Sequence, residues 1–208
     1  PRFGMFNPAK QRSELFLDND GANQVFSTYE LPEDKAAAAP AAAKQMAEPD
    51  EGNSQKLTFE DPSVAQGESE FPDGLYLNIV SIFPASLFTI VGNALTIRQV
   101  RPIAPDKTET VYTWFQFEDD DEEMHDRRVK QSNLFGPAGY VAMEDAEVMA
   151  STQDMISTGL ETGSTFMEMG GRDIEDTTHG VTEASIRGFW KAYCRYMEIP
   201  TKSAESVR

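Results

Sequence analysis

The chain has 208 residues, 39% hydrophobic and 25% charged, enough for one sizeable core and ordinary for a globular protein. Its 35 acidic residues against 18 lysines and arginines leave a net charge of −17. That surplus disfavours nucleic acid, whose recognition depends on clustered Lys and Arg that release counterions, and suits solubility or a basic partner. A single cysteine argues against a disulfide framework and fits a reducing, cytoplasmic setting, and no apolar run is long enough to span a bilayer.

After an opening segment ending at Asp20, residues 24–29 carry aromatic and β-branched side chains that predict a strand. Residues 33–67 predict a mobile surface excursion bordering a pocket mouth: the run from Ala36 to Lys44 is alanine-rich but split by Pro40, with too little apolar periodicity to bury a face. The middle third predicts antiparallel strands over 75–83, 86–91, 94–100 and 108–117, with Gly92-Asn93 and Pro105-Asp106 as turns between them. Helical patterns over 122–134, 145–157 and 182–197 follow, which predicts an α+β domain with helices against one face of a sheet. Phe189, Trp190, Tyr193 and Met197 are expected to form the buried stripe of the last helix.

Two places in this order carry candidate chemistry. Strand alternation puts Arg98 on the face shared by Ala94, Thr96 and Val100, whose small side chains leave room for a ligand carboxylate; an ordinary exposed arginine is the competing reading. The segment Asn133-Leu-Phe-Gly-Pro-Ala-Gly-Tyr-Val-Ala-Met-Glu-Asp145 joins a Gly-Pro-rich bend to Glu144 and Asp145 at an expected helix start. Acids there complement the helix macrodipole, so capping alone explains them unless a metal does. His125, in an acidic run, and His179, in a polar loop, show no paired spacing and are expected to be ordinary surface residues.

The stretch from Lys130 to Asp145, followed by Gln153 and by Ile186-Arg-Gly-Phe-Trp-Lys-Ala-Tyr193, resembles the catalytic domain of Rieske non-haem iron oxygenase alpha subunits, the aromatic-ring-hydroxylating enzymes. The resemblance implies the helix-grip (START/Bet v1-like) fold, incomplete here, with Asp145 holding mononuclear Fe(II) beside two histidines in a facial triad. It implies a [2Fe–2S] Rieske cluster in a preceding domain absent from this chain, which lacks the required cysteines and histidines, and makes 1–208 the C-terminal part of a longer polypeptide. Electrons would come from NAD(P)H through a reductase and ferredoxin, and alpha subunits would assemble in threes, often with a small beta subunit. Phe135 stands where the family shapes the cavity near iron, with Val141 and Ile90 as further wall, though each is equally plain core. The likeness is to oxygenases of salicylate, anthranilate and terephthalate, with Arg98 and then Arg187 as carboxylate clamps. Ring hydroxylation or dihydroxylation of a benzoate-like acid is the function this implies. The alternatives are a non-catalytic helix-grip protein that carries an apolar ligand and, on composition only, an acidic interaction domain.

Overall fold

The computed structural model describes residues 11–30, 60–158, 173–178 and 182–200. Strands β1 (Gln11–Asp18), β2 (Asn23–Glu30), β3 (Leu75–Ile82), β4 (Ser86–Val91), β5 (Ala94–Ala104) and β6 (Lys107–Phe115) form one antiparallel sheet in which each strand pairs with the next in sequence. Helices α1 (Glu122–Phe135), α2 (Tyr140–Ser157) and α3 (Ala184–Tyr196) follow. Strands before helices is the α+β order expected from the pattern. The opening segment proves to contain a strand, β1. Its Ser13, Leu15 and Leu17 share a face, but Phe16 on the other face blurs the alternation that would have marked it. Most of the 33–67 excursion lies outside the described residues. Its end does not: residues 62–65 form a short 3-10 turn capped by Asp61, and Lys130 and Gln131 of α1 reach Ser63 Oγ and the Gln66 carbonyl.

Directly opposed residues share a face, so the register sorts the sheet into two surfaces. One surface carries the row Leu15, Phe26, Ile79, Thr89, Thr96, Trp114 and, beside it, Leu17, Gln24, Ser81, Leu87, Arg98, Tyr112. Helix α1 lies on part of this surface, packing Leu134 and Phe135 on Ala94, Val91 and Trp114. Gln24 Nε2 also reaches from it to the Ser185 carbonyl of α3. The opposite surface carries Phe16, Val25, Val80, Phe88, Ile97 and, beside them, Asn78, Ile90, Leu95, Phe115. Phe16, Phe88 and Phe115 remain well exposed there.

The aromatic stripe expected on α3 is corrected by the structure. Its buried residues are the small ones, Ala184, Gly188 and Ala192, while Trp190 and Met197 are more than half exposed. A Cβ on Gly188 would lie 2.7 Å from the Gly21 carbonyl oxygen, so backbone meets backbone where α3 crosses the β1–β2 turn. The aromatic rings lie beside that seam, Phe189 5.6 Å and Tyr196 5.1 Å from the Phe83 ring.

A buried polar cluster fixes α1 to the sheet. Arg128 is 3% exposed and its guanidinium spends every donor: Nε and Nη2 on Asp120 (2.6 and 2.8 Å), Nη1 on Glu70 (3.1 Å) and the Asn93 carbonyl (2.6 Å), and Nη2 also on Glu70. Asn93, fully buried, takes a bond from the Glu68 N–H and gives its own backbone N–H to Gln131 Oε1 at 2.7 Å. Gly92 makes that approach possible, since its φ of +60° favours glycine and a Cβ would sit 2.7 Å from the same Gln131 oxygen. Residues 66–70, the β4–β5 turn and α1 are thereby held as one piece, and α1 leads directly into the bend before α2.

Candidate metal and substrate site

The bend differs from its sequence reading in one physical respect. Gly136 and Gly139 have φ of −80° and −88°, open to any residue. What requires glycine is space: a Cβ at Gly136 would meet the Ser132 carbonyl at 2.5 Å, and one at Gly139 would fall against the carbonyls of Asn133 and Leu134. The chain folds back on the end of α1 here, with the Gly139 N–H bonded to the Gly136 carbonyl at 2.8 Å.

Helix α2 then starts at Tyr140, five residues earlier than expected, so Glu144 and Asp145 lie in its second turn. They do not cap it: the N-cap is Gly139, without a side-chain bond, and the first turn holds no acid. The capping explanation of this pair therefore fails. Asp145 is exposed, and among the described residues its carboxylate has no hydrogen-bond or ion-pair partner. Successive residues point about 100° apart on a helix, so Glu144 and Asp145 face different directions. Among the described residues α2 buries no side chain and leaves Val141, Met143, Val148, Met149 and Ile156 exposed along its length.

A facial-triad iron needs two imidazoles and one carboxylate. No group of three or more His, Cys, Asp or Glu converges among the described residues. His125 is exposed at the start of α1, with Nδ1 2.5 Å from Gln116 Oε1, and His179 lies outside the described residues. An unengaged carboxylate on a regular helix fits the acid position of such a centre. Among the described residues Asp145 could fill that carboxylate position, and no pair of imidazoles converges on it.

The substrate candidates divide between the two sheet faces. Arg98 lies on the face that carries α1, with Thr96 beside it and the cross-strand Leu87 and Tyr112. Its guanidinium carbon stands 5.1 Å from the centre of the Tyr112 ring, and its Nε is buried with no acceptor among the described residues. Phe135 shares this side, 3% exposed between Leu134, Ala94 and Trp114. Val141 is exposed on the first turn of α2. Ile90 lies on the other side of the sheet. It opposes Leu95, hence projects from the other face, where it lines a shallow apolar cavity of about 190 Å³ with Asn78, Phe88, Leu95, Phe115 and Phe117. Ile90 and Arg98 cannot bound one cavity across a sheet. Arg187 is held on α3 by bonds from Nε and Nη2 to the Asp173 carbonyl (3.2 and 3.1 Å), which favours a structural task.

The family model for the ring hydroxylating alpha subunit, catalytic domain, matches residues 7–199. The chain belongs to that family. It is 34% identical over 192 residues, 92% of its length, to the alpha 2 subunit of the terminal oxygenase component of terephthalate 1,2-dioxygenase from Comamonas sp.. To the large oxygenase component of salicylate 5-hydroxylase from Ralstonia sp. it is 40% identical over 122 residues, 57% of the chain and 28% of that protein. To the large subunit of anthranilate 1,2-dioxygenase from Burkholderia cepacia it is 30% identical over 196 residues, 94% of the chain. Among solved structures, naphthalene 1,2-dioxygenase from Rhodococcus sp. bound to indole superposes with a TM-score of 0.60 at 18% identity, covering 94% of this chain and 47% of that one, which shows the shared fold. This ring-hydroxylating alpha-subunit chain spans less than half the length of the terephthalate and anthranilate relatives, 45% and 44%. Among its described residues no helix is long and apolar enough to cross a membrane.

Proposed function

We propose that this chain supplies one iron ligand and the substrate grip of an oxygenase that hydroxylates the ring of a benzoate-like aromatic acid. The observation that carries the acid specificity is Arg98: a guanidinium on the α1 face of the sheet whose buried Nε lacks an acceptor among the described residues. A carboxylate satisfies that donor fork bidentately, as an uncharged ring does not. The terephthalate, salicylate and anthranilate names of the relatives point to the same chemical class. Arg187 is the second candidate clamp, Phe135 the residue against the ring and Val141 a further wall.

Mononuclear Fe(II), held by Asp145 and two histidines beyond the described residues, would supply the oxygen chemistry when bound. The chain's own contribution is positioning: α1 and the Gly-Pro bend fix the start of α2, and α2 aims the Asp145 carboxylate. The proposal extends to the partners of the whole protein: a [2Fe–2S] Rieske cluster fed by ferredoxin and an NAD(P)H-dependent reductase, alpha subunits in multiples of three with a small beta subunit, and a cytoplasmic location. The alternative, a carrier of an apolar ligand, would use a cavity without turnover, and product formation separates the two.

The test is turnover by the full-length oxygenase with its electron donors, NAD(P)H and labelled dioxygen. Salicylate, anthranilate and terephthalate should each be compared with their amides or methyl esters. Label in a hydroxylated acid, with the amides poor substrates, is the expected result. Binding of the acids with no label in any product overturns the oxygenase reading, and preference for the neutral analogues overturns the acid specificity.

A further inference from the structure

Two arginines of this chain sit in opposite chemical states. Arg128 has all its donors engaged by two carboxylates and a carbonyl, which makes it a structural cation. Arg98 has neither a carboxylate nor a carbonyl partner among the described residues; what holds its head there is the face of Tyr112, at 5.1 Å. The difference matters because a ring face attracts the guanidinium through its quadrupole without consuming an N–H. Nε is buried, and the other donors carry no bond among the described residues, which leaves them for a ligand.

Tyr112 is suited to that task by register and by its neighbours. It opposes Arg98 directly across β5 and β6, so ring and side chain leave the sheet on one face. Two residues on, Trp114 shares that face and lies nearly parallel to it, 6.0 Å between centroids and 23° between planes. Trp114 in turn packs on the Phe135 cluster, and its indole is 3.3 Å from where a Cβ of Gly136 would be. Tyr112 therefore has little freedom to turn away, and a packed run of rings connects the Arg98 head to the bend that starts α2.

We propose that Tyr112 is a positioning residue for the substrate carboxylate: it presents the edge of Arg98 to the acid through its ring face, and its hydroxyl is not needed. This rests on the reading of Arg98 as the clamp. It predicts a graded series at one position. In the full-length oxygenase, Tyr112→Leu should lower the ratio of kcat/KM for salicylate over salicylamide about 3- to 10-fold, within the roughly 2- to 30-fold range of a cation–π contact, mainly through KM for the acid. Tyr112→Phe and Tyr112→Trp, which keep a π face, should hold the ratio within about twofold of wild type. Iron content and Rieske absorbance report folding in each case.

Equal losses for acid and amide in Tyr112→Leu would show a merely structural ring and overturn the proposal. Should the Leu variant not fold, Tyr112→Phe decides alone: a several-fold fall in its ratio would assign the work to the hydroxyl. Arg98→Met run in parallel separates the two claims. If it removes the acid preference while Tyr112→Leu does not, Tyr112 fails and the clamp stands; if it changes nothing, the clamp fails and Tyr112 with it.

Discussion

Replacing Arg128 by Met is the severest test of how the site is held. The substitution keeps the length and apolar stem but removes five donors, leaving Glu70, Asp120 and the Asn93 carbonyl facing a position only 3% exposed. Removing one partner of a buried ion pair costs about 3–5 kcal/mol, because the survivors stay desolvated and unpaired. A loss of that size is a large share of the roughly 5–15 kcal/mol that holds a domain together. Hydrogen exchange read by mass spectrometry on the full-length protein localises it: peptides covering 66–70, the β4–β5 turn and α1 should exchange faster, and those covering β1 and β2 should change little. Adding Glu70→Gln to Arg128→Met should recover part of the loss by removing one buried charge. The same contacts give a pH signature. The Arg128 hydrogen bond, before all other causes, holds the Asp120 carboxyl below its ordinary range. A carboxyl lowered by folding contributes stability above its unfolded pKa of about 3.9 and loses it as pH falls through the folded value, so wild type should weaken progressively below about pH 4 and the Met variant with a shallower slope. A loss under about 1 kcal/mol with unchanged exchange at these segments would refute the reading of Arg128 as the tie between α1 and the sheet.

Three other outcomes follow from named contacts. Arg98→Met should weaken binding of an aromatic acid by about 1.5–3 kcal/mol, roughly 10- to 150-fold, and erase its advantage over the matching amide in steady-state kinetics. Gly188→Ala puts a Cβ 2.7 Å from the Gly21 carbonyl oxygen and should cost about 1–3 kcal/mol in thermal unfolding by pushing α3 off the β1–β2 turn, whereas Ala192→Ser should do less. The full-length oxygenase should size as a multiple of three alpha subunits in light scattering, and a fully active monomer would contradict that assembly.

The sheet from β2 to β6 was legible because its strands alternate and its turns use Gly-Asn and Pro-Asp, and β4 was placed to the residue. β1 escaped because Phe16 sits on the exposed face and breaks the contrast between its sides. α1 was located, but its inward face was not: Arg128, Gln131, Leu134 and Phe135 have helical spacing, yet two of the four are polar, and a hydrophobic period does not register a buried guanidinium. For α3 the apolar period pointed to the aromatics, whereas close backbone approach selected Ala184, Gly188 and Ala192. Alternation grouped Arg98 correctly with Ala94 and Thr96 on one face. It gives no relation between strands, so the sequence cannot separate Ile90 from Arg98, which the Ile90–Leu95 register puts on opposite faces. The Tyr112 contact depends on that same register and had no signal of its own.

The central claim is that Asp145, carried by α2 and unengaged among the described residues, is the carboxylate that holds mononuclear iron. Metal analysis of the full-length oxygenase tests it most directly, with the Rieske absorbance as the internal measure of folded protein. Asp145→Ala should lose the mononuclear iron and ring hydroxylation while keeping the cluster signal, and Glu144→Ala, which points elsewhere on the helix, should retain most of its iron. Equal mononuclear iron and undiminished turnover in Asp145→Ala would contradict the account.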